Sequence, residues 1–197
     1  MTVLEDRIEM ADADANTKRL DEWFERLERM PVPEGFRVEI VGGNVFMTPQ
    51  RDIHWEIIRR FLWAVEDRFG RNVRVFTDVR IDFPGYQNGF CPDIAMLKDS
   101  AKKDDKGHWR YQDVKFVAEV ISKGTGPNDY GPKKIAYAEA EVPVYIVADP
   151  YVGRCYVYTD PQDGDYEKRE AFDFGTDIDL TGTVVDLTLK TDDFPRD

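Results

Sequence analysis

Residues 114–150 read VKFVAEVISKGTGPNDYGPKKIAYAEAEVPVYIVADP, and the rest of the chain is best understood outward from them. The run 114–121 is β-branched and aromatic, which predicts a buried strand. Glu119 sits inside that run, where a carboxylate is costly unless something pairs with it. The Gly/Pro/Asn-rich segment 122–129 predicts a loop. A helix is expected over about 129–141, with Asp129 as its N-cap and Lys133 one turn later on the same face. Residues 142–149, VPVYIVAD, predict a second apolar strand. Strand, loop, helix and strand make a βαβ crossover, so the two strands are expected to be parallel neighbours in one sheet. The loop and the helix start then lie at the carboxyl end of the first strand, the usual place for a site in an α/β sheet.

At 197 residues the chain fits one domain with a sizeable core, and 42% hydrophobic with 13% aromatic content marks it as globular rather than disordered. No run of about 18 apolar residues exists, so no membrane-spanning helix is expected. The start, MTVLEDRIEMADADA, lacks the basic and apolar segments of a secretory signal, and a cytoplasmic location follows as the expectation. Cys91 and Cys155 are far apart and form no CxxC, which predicts two free, buried thiols rather than a thiolate zinc site or a disulfide. The net charge of −12 argues against bulk attraction to nucleic acid. Its distribution softens that objection. Residues 1–50 carry 6 Lys/Arg against 11 Asp/Glu and residues 151–197 carry 5 against 12, while 51–150 balances at 16 against 16.

Residues 1–16 read as an acidic, flexible lead-in to a single domain over 17–192. Leu20, Trp23, Phe24 and Leu27 recur at helical spacing, predicting a packed helix over 17–30 that ends at the Pro-rich 30–35. Residues 36–49 predict a hairpin turning at Gly42-Gly43-Asn44. In it Glu39 alternates against Val38 and Ile40, which by position alone predicts a solvent-facing side chain. A helix over 54–70 carries the stripe Ile57, Ile58, Phe61, Leu62, Val65 and Phe69 and stops at Gly70. His54 lies at its first turn, where a capping or surface role is the plain reading. Residues 72–83 alternate as one half-exposed strand. The turn-rich 84–90 leads to Cys91-Pro92-Asp93 and the short strand IAML, and 98–112 read as a charged loop. Beyond Pro150, RCYVYT, DYEKREAF and VVDLTL predict a closing antiparallel meander.

Asp93 at a strand entrance and Glu119 near the end of the next strand, with Lys133 on the following helix, form a pattern in which the two carboxylates make an oxygen-rich site suited to Mg²⁺. A neighbouring lysine stabilises developing phosphate charge. A bound divalent ion would polarise a phosphoryl oxygen and supply a hydroxide-like nucleophile, the chemistry of phosphodiester hydrolysis. The plain alternative is a buried Glu119–Lys133 ion pair with Asp93 capping a strand.

Several pieces then recur in a known order: EIVGGNVFMTP at 39–49 followed by His54, TDVRIDFP at 77–84, PD at 92–93, EV at 119–120, and SxxT…D…K…Y…VPxYxVxDP from Ser122 onward. In this the chain resembles the Uma2 family of the PD-(D/E)xK nuclease superfamily, over about residues 18–190. The resemblance implies an α/β fold: a restriction-endonuclease-like mixed β-sheet core flanked by helices, with an N-terminal helix and hairpin and the C-terminal meander. It implies Mg²⁺, or Mn²⁺, held by Asp93 and Glu119, with Lys133, Glu39 and His54 bordering the site. One departure is Ile121, which stands two residues after Glu119 where the superfamily lysine would be. Lys133 on the helix has the matching spacing, with Lys134 adjacent and Lys123 in the loop as alternatives. The implied activity is endonucleolytic cleavage of DNA by a homo-oligomer, dimer or larger. A catalytically inactive nucleic-acid-binding or oligomeric interaction protein on the same fold is the second reading, and a hydrolase of a small phosphodiester the third.

Overall fold

The computed structural model describes residues 3–30, 36–49 and 51–197. In chain order the elements are α1 (Val3–Glu28), β1 (Phe36–Val41), β2 (Asn44–Pro49), α2 (Asp52–Phe69), β3 (Val75–Phe76), β4 (Ile81–Phe83), β5 (Asn88–Phe90), β6 (Ile94–Leu97) and β7 (Trp109–Arg110). A 3-10 turn at Tyr111–Asp113 leads into β8 (Val114–Val120), α3 (Gly126–Tyr130), α4 (Pro132–Glu139), β9 (Val144–Asp149), β10 (Arg154–Gln162), β11 (Asp165–Asp173), β12 (Ile178–Asp179) and β13 (Thr188–Leu189). The fold is α/β, with mixed sheets flanked by helices. Six strands form the main sheet in the order β11-β10-β9-β8-β6-β3, five form a second sheet in the order β2-β1-β5-β4-β7, and β12 pairs with β13.

The crossover expected from 114–150 is present: β8 and β9 pair in parallel, with Phe116 opposite Val144 and Val120 opposite Ala148. Its helix is not one piece. Gly131 separates α3 from α4, because Pro132 has no N–H to give and its ring crowds the carbonyl one turn back. Asp129 therefore lies inside α3 and is not an N-cap. Beyond β9 the chain continues as the expected meander, β9, β10 and β11 pairing antiparallel. Of VVDLTL only Thr188–Leu189 is strand, in the separate two-stranded ribbon.

The 36–49 hairpin closes on two residues rather than three: Asn44 already pairs with Val41. Gly42 and Gly43 both have positive φ, 56° and 77°, as a tight hairpin turn of that length requires. The run 72–83 is not one strand. It splits into β3, which pairs with β6, and β4, which pairs with β5 in the other sheet. The break is at Asp78, whose φ of 55° turns the chain while its N–H donates to the Pro92 carbonyl at 3.0 Å. The 98–112 loop contains β7, two residues lying parallel to β4. Helix α1 reaches back to Val3, so residue 17 is no element boundary, and Met1 and Thr2 lie outside the described residues. So do residues 31–35, on which the expected Pro-rich stop falls. On α1, Leu20 and Leu27 are buried and Phe24 packs beside them, but Trp23 is 38% exposed. Among the described residues no helix is long and apolar enough to cross a membrane.

Strand periodicity positions the site. Successive side chains of a strand point to opposite faces. On β8, Phe116, Ala118 and Val120 join α2 residues Ile57, Phe61 and Val65 in one apolar cluster. Val117 and Ile121 join α4 and the second sheet in another. Glu119 has the parity of Val117 and Ile121. On the neighbouring β6, Ile94 and Met96 face α2, while Ala95 and Leu97 face the second sheet. Asp93 has the parity of Ala95, and the antiparallel register sets Ala95 opposite Val117 and Ile94 opposite Ala118. The two carboxylates are therefore brought side by side on one face.

Candidate active site

Asp93, Glu119 and Lys133 are buried to within 1% of complete, and Glu39, His54, Arg37 and Asp129 are buried beside them. The two strand-end carboxylates are tied to each other through the backbone. The Val120 N–H donates to Asp93 Oδ2 at 2.7 Å, and the Asp93 N–H donates to Glu119 Oε2 at 3.3 Å.

Helix α4 supplies the next groups. Lys133 and Tyr137 are four residues apart and so share one helix face. Both reach Glu119 Oε1, the lysine Nζ at 2.6 Å and the tyrosine hydroxyl, as donor, at 2.5 Å. Lys133 also lies 3.0 Å from Asp129 Oδ1 and 3.3 Å from Glu39 Oε1. Burial alone would push its amine down, but Asp129, Glu119 and Glu39 together outweigh that and hold it well above the usual lysine range. Lys134 points elsewhere, pairing with Asp165 at 2.6 Å, and Lys123 is exposed. Burial pushes the Asp129 carboxyl up to about 7 against the pull of Lys133, with Glu119 and Glu39 adding to the rise.

Strand β1 closes the network from the second sheet. Val38 and Ile40 pack under α1, so the opposite face of the strand, bearing Arg37, Glu39 and Val41, turns inward. Glu39 is thus not solvent-facing: β1 is covered on both sides, one apolar and one polar. Its Oε1 accepts the Cys91 N–H at 2.8 Å, which pins the backbone just before Pro92-Asp93. Arg37 donates through Nη1 to Asp93 Oδ1 and, at 3.2 Å, to Asp78 Oδ1, while Nη2 lies 3.7 Å from Glu39 Oε2. Burial works against the Arg37 charge, yet Asp93, Glu39, Glu119 and Asp78 keep it held well above the ordinary arginine range.

His54 is neither capping nor on the surface. From the first turn of α2 its Nε2 faces the Val120 carbonyl and lies 3.4 Å from Asp93 Oδ2, while its buried Nδ1 has no hydrogen-bond partner among the described residues. A small cleft lined in part by Arg51, Ile53, His54, Ile121 and Ser122 borders this end of the network. The larger surface cavities lie elsewhere.

All five residues expected from the sequence, Asp93, Glu119, Lys133, Glu39 and His54, meet in one network. Sequence reasoning missed Arg37 and Asp78 and gave Tyr137 no role. Arg37 was findable, since it stands two residues before Glu39 and shares its face. The donors match a hard divalent cation in kind: carboxylate oxygens of Asp93 and Glu119 with the Val120 carbonyl close by. The charge matches too. With Asp129 ionised, four buried carboxylates (Glu39, Asp93, Glu119, Asp129) against two buried cations (Arg37, Lys133) leave two formal negative charges in excess, and with Asp129 protonated they leave one. Each carboxylate oxygen of Asp93 and Glu119 nevertheless already has a protein partner, so a cation must exchange with one of them. Among the described residues, the tight grouping of three potential ligands is a different one, Asp21, Asp82 and His108. There Arg80 already bridges both carboxylates, at 2.7 Å to Asp82 and 2.9 Å to Asp21.

The chain is similar over 89% of its length, and over 96% of the other chain, to a solved "putative nuclease belonging to DUF820" from Anabaena variabilis ATCC 29413, with a TM-score of 0.64 and 19% identity. At that identity the likeness speaks to fold. No curated protein matches. The family model Uma2, described as "Putative restriction endonuclease", matches residues 24–192. By that match, which spans most of the sequence and contains every residue of the buried network, the chain belongs to the Uma2 family.

Proposed function

We propose that this protein is a Mg²⁺-dependent endonuclease that hydrolyses DNA phosphodiester bonds at the Asp93–Glu119–Lys133 network, with Mn²⁺ able to substitute. The observation that carries the reading is the meeting of two strand-end carboxylates and a helix lysine in one buried cluster with excess negative charge. Such clusters are costly as stabilising devices, since replacing buried ion pairs by apolar packing is often neutral or better. Asp93 and Glu119 would hold the cation, with the Val120 carbonyl beside them. When bound, the cation supplies Lewis-acid polarisation of the phosphoryl group and a water acidic enough to attack near neutral pH. Lys133, kept charged by its three carboxylates, supplies positive charge where negative charge develops on phosphate. Tyr137 and Asp129 fix the lysine and Glu119 in place, and His54 lies against Asp93 at the end of the network that borders the cleft. The same reading carries a cytoplasmic location and a homo-oligomer, so that two sites act on two strands.

The second reading, a nucleic-acid-binding or oligomeric scaffold without catalysis, draws on a specific observation: Asp93 and Glu119 are fully buried and their oxygens are all engaged by protein groups. Nicking of supercoiled plasmid with Mg²⁺, Mn²⁺ or EDTA separates the two, with wild type, Asp93→Ala and Glu119→Ala purified side by side. Metal-dependent nicking by wild type alone supports the endonuclease. Equal nicking by all three points to a contaminant and removes the support for this site. Metal binding without nicking moves the assignment to a small phosphodiester, and salt-sensitive DNA binding with neither moves it to the scaffold.

A further inference from the structure

We propose that Arg37 is the resident counter-cation of Asp93, and that a divalent ion binds there only when the guanidinium is released toward Asp78. The inference rests on the metal-site reading above and concerns what sets the affinity of that site.

Arg37 is the cation that stands where a metal would have to act. Its Nη1 lies between Asp93 Oδ1 inside the network and Asp78 Oδ1 at its rim. Asp93 has no solvent exposure, whereas the Asp78 side chain is 42% exposed, so the two acceptors lie along a path from the interior to the surface. The Arg37 fork is only partly used, because its buried Nε has no partner among the described residues. The side chain thus gives up few bonds when it shifts, and Glu39 remains beside Nη2 at 3.7 Å. Asp78 is held in place by its left-handed backbone, φ 55°, and by its N–H bond to the Pro92 carbonyl. That residue immediately precedes Asp93, so the outer acceptor is fastened to the segment that carries the inner one. Lys133, by contrast, is enclosed by three buried carboxylates and has no acceptor at the rim among the described residues. Of the two buried cations, Arg37 is the one with somewhere to go.

Two like charges cannot share one carboxylate at short range without strong repulsion in a partly dehydrated site. Metal affinity is therefore reduced by whatever holds Arg37 on Asp93, as in any equilibrium where the competent state is a fraction of the whole. The charge balance favours the exchange, since a divalent ion replacing one guanidinium removes one excess negative charge.

The test is calorimetric titration of metal-stripped full-length protein with MgCl₂ and with MnCl₂, alongside thermal melts. Arg37→Met is expected to bind metal on the order of tenfold more tightly than wild type. It is expected to melt lower without metal and to regain more of its melting temperature on metal addition. A second measurement needs no variant: in wild type, the Arg37 Nε–H resonance in a proton–nitrogen spectrum should shift as Mg²⁺ saturates the protein. A folded Arg37→Met that binds metal equally or more weakly, in a wild type that does bind, overturns the proposal while leaving the metal site standing. So does an Arg37 resonance that stays put through Mg²⁺ saturation. Failure of wild type and variant alike to bind either ion overturns the metal-site reading itself, and this inference with it.

Discussion

On its α2 side the six-stranded sheet shows Phe116, Ala118 and Val120 of β8 to Ile57, Phe61 and Val65, with Ile146 and Phe194 filling in. Phe61 lies with its ring centroid 6.3 Å from that of Phe116 and 5.6 Å from that of Phe194. On the other side the same strand shows Val117 and Glu119, with Ile121 just past its end, and Glu119 meets Lys133, Tyr137 and the Asp93 backbone. One residue of offset separates a dry apolar face from a buried ion network. The apolar face gains stability in proportion to area removed from water. The charged face must first offset desolvation of at least six formal charges, and it does so only because nearly every donor and acceptor is matched. Burial of this many charges is an inefficient way to gain stability, and perturbed buried groups of this kind make the network a candidate functional site.

The contrast is broken most severely by removing the charge at the centre of the network. Lys133→Met leaves Glu119, Glu39 and Asp129 without their shared cation and is expected to cost about 3–5 kcal/mol in chemical denaturation. A cost under about 1 kcal/mol would mean that the lysine is not the hub of the network. Phe61→Ala on the opposite face is expected to cost a comparable 3–5 kcal/mol through the cavity it leaves. Its loss should be the same at every pH from 5 to 8, and its metal binding should match wild type. A pH-dependent loss there would show that the two faces are coupled. Tyr137→Phe removes one hydroxyl from a charged acceptor and keeps the ring that packs edge-on against Phe83 and Phe90. About 1.5–3 kcal/mol is expected, and a neutral result would mean that Lys133 alone satisfies Glu119.

Asp129→Asn sharpens the comparison by its sign. The folded pKa of Asp129 is raised to about 7, above the ordinary aspartate value. Its stabilising share is therefore complete below about pH 4, falls as pH rises, and is gone above about pH 7. Wild type should lose stability relative to Asp129→Asn by about 1.4 kcal/mol per pH unit inside that window, then run parallel to it. Urea titrations at pH 5, 6, 7 and 8 read this directly. A constant offset at all four would mean that Asp129 titrates alike in the folded and unfolded chains.

The parts of this pattern that follow from local rules are visible in the sequence. The βαβ unit, the α2 stripe, the hairpin and the β9–β11 meander come from periodicity and turn residues, which act over a few neighbours. What local rules miss are the points where the backbone changes partners. Residues 72–83 alternate as one strand until Asp78 turns the chain into the second sheet, and no period in the side chains announces that. Residues 129–141 have helical composition apart from Gly131-Pro132, and that pair divides them into two helices. Glu39 and His54 look like surface residues when judged by their own segments, because the elements that cover them come from elsewhere in the chain.

Composition and order were thus enough to determine an α/β chain with carboxylates at two strand ends, a lysine in the helical segment before the parallel strand and two free buried cysteines, which the structure bears. Each of these is a statement about residue type and spacing. Only the tertiary structure decided that β1 has two buried faces, that Arg37 stands on Asp93, and that Tyr137 donates to Glu119. Those facts depend on which surfaces meet between separate elements, from 18 residues apart for Tyr137 and Glu119 to 56 for Arg37 and Asp93, and the energy of a buried charge is set by its neighbours in space rather than in sequence.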